Sequence, residues 1–108
     1  MKRRTQENGE EGDQLDALAQ ALSGLAGAAA FKAFLQDLCT PAELEAMTDR
    51  WRVVPLLQQG MPYREIHELT QVSVTTIGRV ARTLERGTGG YALASRSSVP
   101  APSTRETP

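Results

Sequence analysis

Apolar side chains recur at intervals of three and four residues through the middle of this chain, and that spacing limits the possible folds more than any other feature. One such series consists of Leu15, Leu18, Leu22 and Leu25, and another consists of Leu44, Met47, Trp51 and Val54. Residues with this period share one face of an α-helix. The β-branched run at residues 74–77 could form a strand, but no partner strand is visible elsewhere. The sequence therefore predicts an all-α fold, a small helical bundle.

The two ends of the chain differ in composition from its middle. Residues 1–13 are polar and charged after Met1, and residues 95–108 contain three prolines. Such segments cannot bury enough apolar surface to offset the entropy lost on ordering. We predict disordered tails at 1–13 and 95–108 around a folded domain at 14–94. A domain this small is often completed by a second subunit.

Local signals divide the domain into helices. We expect a first helix after Asp13, a second over residues 28–38 after a break near Gly27, and a third that begins after Thr40 and ends near Gly60. In Thr40-Pro41-Ala42-Glu43, threonine and glutamate can cap each other's backbone N–H groups, which is a strong helix start. Pro55 lies inside this third helix and predicts a kink over residues 51–55. Residues 91–94 suffice for one further packed turn.

Composition removes several classes of function. The single cysteine, Cys39, excludes a disulfide within the chain, and with the single histidine, His67, it cannot build a zinc site. No apolar run is long enough to span a membrane. No nucleophile is paired with a base. We therefore expect a cytoplasmic protein that is not an enzyme, with no metal and no cofactor.

Residues 63–86 have the spacing of a helix-turn-helix. A short helix over residues 63–69, with Ile66 and Leu69 facing inward and His67 facing solvent, precedes a turn and a helix capped by Ser73. Gln71 stands where such turns commonly have glycine, so we expect a positive φ there. The second helix is predicted to bury the face formed by Val74, Ile77, Ala81 and Leu84 and to expose Thr75, Thr76, Arg79, Arg82 and Arg86. Charge is only permissive, because the whole chain has 12 basic and 13 acidic residues.

Several short stretches together resemble the Trp-repressor superfamily, and most closely its YerC-like branch. They are Leu38-Cys39-Thr40-Pro41, Tyr63-Arg64-Glu65-Ile66, Val72-Ser73, Thr75-Thr76-Ile77, Arg79-Val80 and Gly90-Tyr91. The similarity covers roughly residues 30–94. It implies an intertwined, all-helical homodimer that binds operator-like double-stranded DNA.

The resemblance also implies roles for individual residues. It makes Arg64 a DNA contact and places Ser73, Val74, Thr75 and Thr76 at the tip that faces the groove. From the position of these side chains on the two helices, we further expect Arg64, Arg82 and Arg86 to contact phosphates and Thr75, Thr76 and Arg79 to reach base edges. Thr40, Arg50, Arg79 and Thr83 correspond to a small-molecule pocket. The tryptophan-binding members have glycine after the second arginine, whereas this chain has Val80, which argues against tryptophan as the ligand.

These observations favour a DNA-binding transcriptional regulator, a repressor acting as a homodimer. Two alternatives stay open at this point. One is a ligand-gated repressor that uses the pocket at Arg50 and Arg79. The other is a helical protein-interaction module that does not bind DNA, which the near-neutral charge and the proline-containing tail would favour.

Overall fold

The computed structural model describes residues 8–98, which form six α-helices and no strand. The helices are α1 (Asn8–Ser23), α2 (Ala28–Leu38), α3 (Pro41–Gln58), α4 (Tyr63–Thr70), α5 (Val74–Arg86) and α6 (Gly90–Ser98). The prediction of an all-α fold is confirmed. Among these six helices, none combines the length and the apolar character needed to cross a bilayer.

The first and last helices extend into the two segments that were predicted as tails. Residues 8–13 belong to α1, and residues 95–98 belong to α6, so the final segment is a nine-residue helix instead of a single turn. Extending an existing helix adds one hydrogen bond per ordered residue without a new nucleation cost, which explains the added turn of α1. At the other end, Ser95 bonds to the side chain of Gln58 at 3.2 Å. The remaining tail residues, 1–7 and 99–108, lie outside the described residues.

The junctions between α1, α2 and α3 follow local sequence signals. Gly27 has a φ of +89° immediately before α2, a conformation that side chains disfavour. The backbone N–H of Thr40 donates to Glu43 Oε1 at 2.8 Å, and the N–H of Glu43 donates to Thr40 Oγ1 at 3.1 Å. This reciprocal cap confirms the predicted start of α3. Helix α3 then continues through Pro55 to Gln58.

The chain divides into two compact units within α3, after Leu44. The second unit contains the buried core, formed by Val53, Val54, Ile66, Val72, Ile77 and Val80. Leu56, Leu57, Met61, Leu84 and Tyr91 pack against it. Side chains from α3, α4, the following turn and α5 thus meet in one cluster, which fixes α5 by its apolar face.

The first unit contains no buried side chain among its described residues. Helix α2 is apolar over Ala28–Leu38, yet Phe31 and Leu38 are exposed. In the second unit, Met47 and Trp51 were predicted at core spacing but are 37% and 39% exposed. Trp51 contacts the ring of Tyr91, with centroids 6.4 Å apart. Within residues 8–98 these four apolar side chains stay more than one-third exposed.

Candidate nucleic-acid interface

Helices α4 and α5 pack against each other across a three-residue turn, Gln71-Val72-Ser73. Gln71 has a φ of +66° and ends α4 in the left-handed conformation, as the sequence predicted. Its N–H donates to the His67 carbonyl at 2.7 Å, and its side-chain amide donates to the Glu68 carbonyl at 3.1 Å. A non-glycine residue pays a conformational cost in this region, so the turn depends on support from its surroundings.

That support comes from two side chains of α4 that bind both polar groups of Val72. The N–H of Val72 donates to Thr70 Oγ1 at 3.1 Å, and its carbonyl accepts from His67 Nδ1 at 2.8 Å. The Thr70 hydroxyl in turn donates to the Ile66 carbonyl at 2.7 Å. We call this arrangement of His67 and Thr70 around Val72 the turn clamp. It fixes the start of α5 relative to the end of α4.

The sequence analysis missed the turn clamp and misplaced one of its members. His67 was expected to face solvent, but it is half-buried and faces the turn. Residues 67 and 72 are separated by a left-handed residue, so helical periodicity does not bring them together. A signal was present in Thr70-Gln71, because a threonine that precedes a turn often bonds to the backbone two residues further on.

The apolar face of α5 is rotated from the predicted one. Ile77 and Val80 are fully buried, whereas Val74 is 50% exposed. At this end of α5 the core takes up Val72 from the turn instead, which is 4% exposed. Leu69 of α4 was also predicted to face inward and is exposed. Val74 therefore belongs to the accessible first turn of α5, where the resemblance had placed it.

The first turn of α5 is capped by Ser73, as predicted. Ser73 Oγ accepts from the N–H of Thr76 at 3.1 Å and donates to Thr76 Oγ1 at 3.0 Å. A side-chain cap of this kind satisfies one of the free N–H groups that every helix start carries. Beside it, Thr75 is exposed, while Thr76 is half-buried.

A row of accessible side chains runs along α5 on the side opposite Ile77 and Val80. It consists of Thr75, Arg79, Arg82 and Arg86, which are spaced by four, three and four residues and are all exposed. We call Arg79, Arg82 and Arg86 the arginine row. Within residues 8–98 the arginine row makes no ion pair, since the one salt bridge found there joins Arg52 to Asp49. Arg64, which is exposed on the first turn of α4, also has no acidic partner in that range.

The start of α4 lies next to α5 at Gly78. A methyl group on Gly78 would lie 3.8 Å from Tyr63 Cε2 and 3.6 Å from an Arg82 guanidinium nitrogen. The first turn of α4 and the arginine row thus lie on neighbouring parts of one surface. Such a surface is suited to a polyanion, because its cations are accessible and uncompensated.

Of the four residues suggested for a small-molecule pocket, two line the same depression. Arg79 and Thr83 line an open depression of 310 Å³ together with Arg82, Arg86 and Gly87. The Thr83 hydroxyl donates to the Arg79 carbonyl at 3.1 Å. Arg50 is half-buried on α3, and Thr40 is engaged in the cap of that helix. A ligand site formed by these four residues stays a prediction.

The comparisons with known proteins agree with this architecture. Residues 13–97 match the family described as Trp repressor protein. The chain belongs to the Trp repressor family. The uncharacterized protein YerC of Bacillus subtilis (strain 168) is 34% identical over 83 residues, which are 77% of this chain and 80% of YerC. A crystal structure described as a candidate Trp repressor from Staphylococcus aureus matches with a TM-score of 0.75 and 30% identity, covering 87% of this chain and 94% of the other.

Within this Trp repressor family chain, Val80 has a structural role. It is fully buried in the core with Ile77 and Val72. Its side chain fills space that a glycine would leave open. The position is thus used for packing in this member of the family.

Proposed function

We propose that this Trp repressor family protein is a cytoplasmic transcriptional repressor that binds operator DNA as a homodimer. The observation that carries the proposal is the arginine row on α5, accessible and without acidic partners within residues 8–98, on a helix whose other face is anchored in the core. A helix presented in this way fits the major groove of B-DNA. The family is one of regulators rather than enzymes, and the proposal assigns no catalytic step.

In this proposal, the position of each residue determines whether it contacts phosphates or bases. Arg64 on α4 and Arg82 and Arg86 on α5 bind phosphates and set the register on the duplex. Thr75, Thr76 and Arg79 lie nearer the tip and contact base edges. Arginine is suited to a guanine edge, because its planar donors match the O6 and N7 acceptors.

The exposed apolar surface supports the homodimer. Phe31, Leu38, Met47 and Trp51 are all more than one-third exposed, and the first unit buries no described side chain. Large apolar surfaces on a single chain mark an interface. A second copy of the chain would cover them and would present two α5 helices to successive major grooves about one helical turn apart.

The test begins with selection of bound duplexes from a random pool, using the full chain. Affinity for the selected duplex is then measured between 50 and 200 mM salt. If the dimer neutralises about six to ten phosphates, affinity falls on the order of a thousandfold or more over this range. An affinity that does not change with salt, or a pool that yields no enriched sequence, contradicts the proposal and favours a protein-interaction module.

Two arginine variants localise the surface. Arg79→Ala is expected to weaken binding roughly 5- to 150-fold while the helix content stays unchanged. Arg52→Ala is the matched control, because Arg52 is also exposed in the second unit but is paired with Asp49 on α3. Equal losses in the two variants would show that general charge, and not the α5 surface, determines the affinity.

A further inference from the structure

Val74 leaves half of its surface in water although the core lies beneath the same helix. The buried side chains of α5 are Ile77 and Val80, and the turn supplies Val72 to the core next to them. Val74 is therefore not needed to anchor the helix. Val74 thus places an apolar side chain at the accessible end of a surface whose cations are unpaired. A ligand that matches this surface combines negative charge with an apolar group.

The hydroxyl groups around Val74 are largely committed to one another. Ser73 Oγ accepts from the N–H of Thr76 and donates to Thr76 Oγ1. The remaining exposed hydroxyl of this turn belongs to Thr75, and one hydroxyl cannot make the two-point contacts that distinguish guanine or adenine. The first turn of α5 thus offers methyl groups and single hydrogen bonds. The first side chain able to make a two-point contact is Arg79, more than one helical turn further along.

In the major groove, one of the four DNA bases presents an apolar group. Thymine exposes its C5 methyl group there, and small apolar side chains recognise it by direct contact. Resting on the proposed function, we propose that Val74 reads the C5 methyl group of a thymine in each half-site. Val74 is then a specificity-determining residue, while the arginine row supplies most of the affinity.

The test uses the selected operator and changes single atoms of its bases. Each thymine in turn is replaced by deoxyuridine, which lacks the C5 methyl group and keeps the pairing edge. One position per half-site is expected to lose affinity roughly fourfold, the effect of one buried methyl group. Replacing that base pair by one with 5-methylcytosine at the same place retains the methyl contact, whereas unmethylated cytosine loses it.

The Val74→Ala variant completes the cycle. Its side chain is half-exposed and outside the core, so circular dichroism should report an unchanged fold. The variant should bind the thymine operator roughly fourfold to tenfold more weakly per half-site and should no longer distinguish thymine from deoxyuridine at the sensitive position. If binding to the operator depends on salt but deoxyuridine at every thymine position leaves the affinity unchanged, this inference is overturned and the proposed function stands. The inference is equally overturned if Val74→Ala retains the full preference for thymine. Absence of binding to any duplex overturns both.

Discussion

The turn clamp gives the sharpest prediction about stability, through the substitution Thr70→Val. Valine keeps nearly the same shape, so the burial of the side chain is retained and only the hydroxyl is lost. The N–H of Val72 then loses its acceptor in a region where Thr70 is 9% exposed and Val72 is 4% exposed. A buried donor without a partner costs about 1–3 kcal/mol. The second lost bond, to the Ile66 carbonyl, adds less because that oxygen also accepts the regular helical bond.

We therefore expect Thr70→Val to lower the free energy of unfolding by about 2 kcal/mol. This corresponds to a decrease in Tm of roughly 8–16 °C for a domain of this size. The measurement is urea unfolding followed by circular dichroism at one fixed protein concentration, since association would also contribute to stability.

Thr83→Val is the matched control for this measurement. The Thr83 hydroxyl also donates to the carbonyl four residues before it, but it is exposed and accepts no backbone N–H. We expect its loss to change the free energy of unfolding by less than about 0.5 kcal/mol. If Thr70→Val and Thr83→Val unfold at the same urea concentration, the turn is not held by the Thr70 hydroxyl and the reasoning fails.

Three further predictions concern the rest of the chain. Gly78→Ala should stabilise the domain by about 0.5–1 kcal/mol in the same unfolding assay, because the new methyl group meets neighbours only at ordinary contact distance. Gly87→Ala should destabilise the domain, because its methyl group would lie 2.6 Å from the Thr83 carbonyl oxygen. If Gly87→Ala is the more stable of the two variants, this account is refuted. Leu38→Asp should convert a dimer to monomers in sedimentation experiments, whereas an unchanged mass would remove α2 from the interface. Thr40→Ala should cost about 1 kcal/mol of stability by opening the cap with Glu43, and a cost near zero would show that this cap contributes little.

Features that depend on neighbours in the chain could be predicted from the sequence. The cap between Thr40 and Glu43, the cap at Ser73 and the left-handed Gln71 each involve residues at most four positions apart. The interactions that determine these features lie within about one turn of backbone, so the residue types were sufficient to predict them. The limits of α2 and the positions of α4 and α5 followed from the same signals.

Features that depend on distant packing could not be predicted in this way. Helical spacing marks Val74 and Leu69 as apolar-face residues, but it does not show where the partner helix ends. The turn inserts Val72 into the core, and this shifts the buried face of α5 toward Val80. The same turn brings His67 to the Val72 carbonyl, a contact across a change in chain direction. Met47 and Trp51 were predicted correctly as an apolar series, but helical spacing does not show whether another segment covers them, and within residues 8–98 both stay more than one-third exposed.

The turn clamp has a mechanical consequence for α4 and α5. Because side chains of α4 bind the peptide that leads into α5, we expect the two helices to move together as one rigid unit. A glycine with a positive φ lies beyond each end of this helix pair: Gly60 before α4 and Gly89 after α5. Backbone rotation is least restricted at such residues. We therefore expect any change in the orientation of α4 and α5 to occur at these two glycines and to leave the angle between the two helices unchanged.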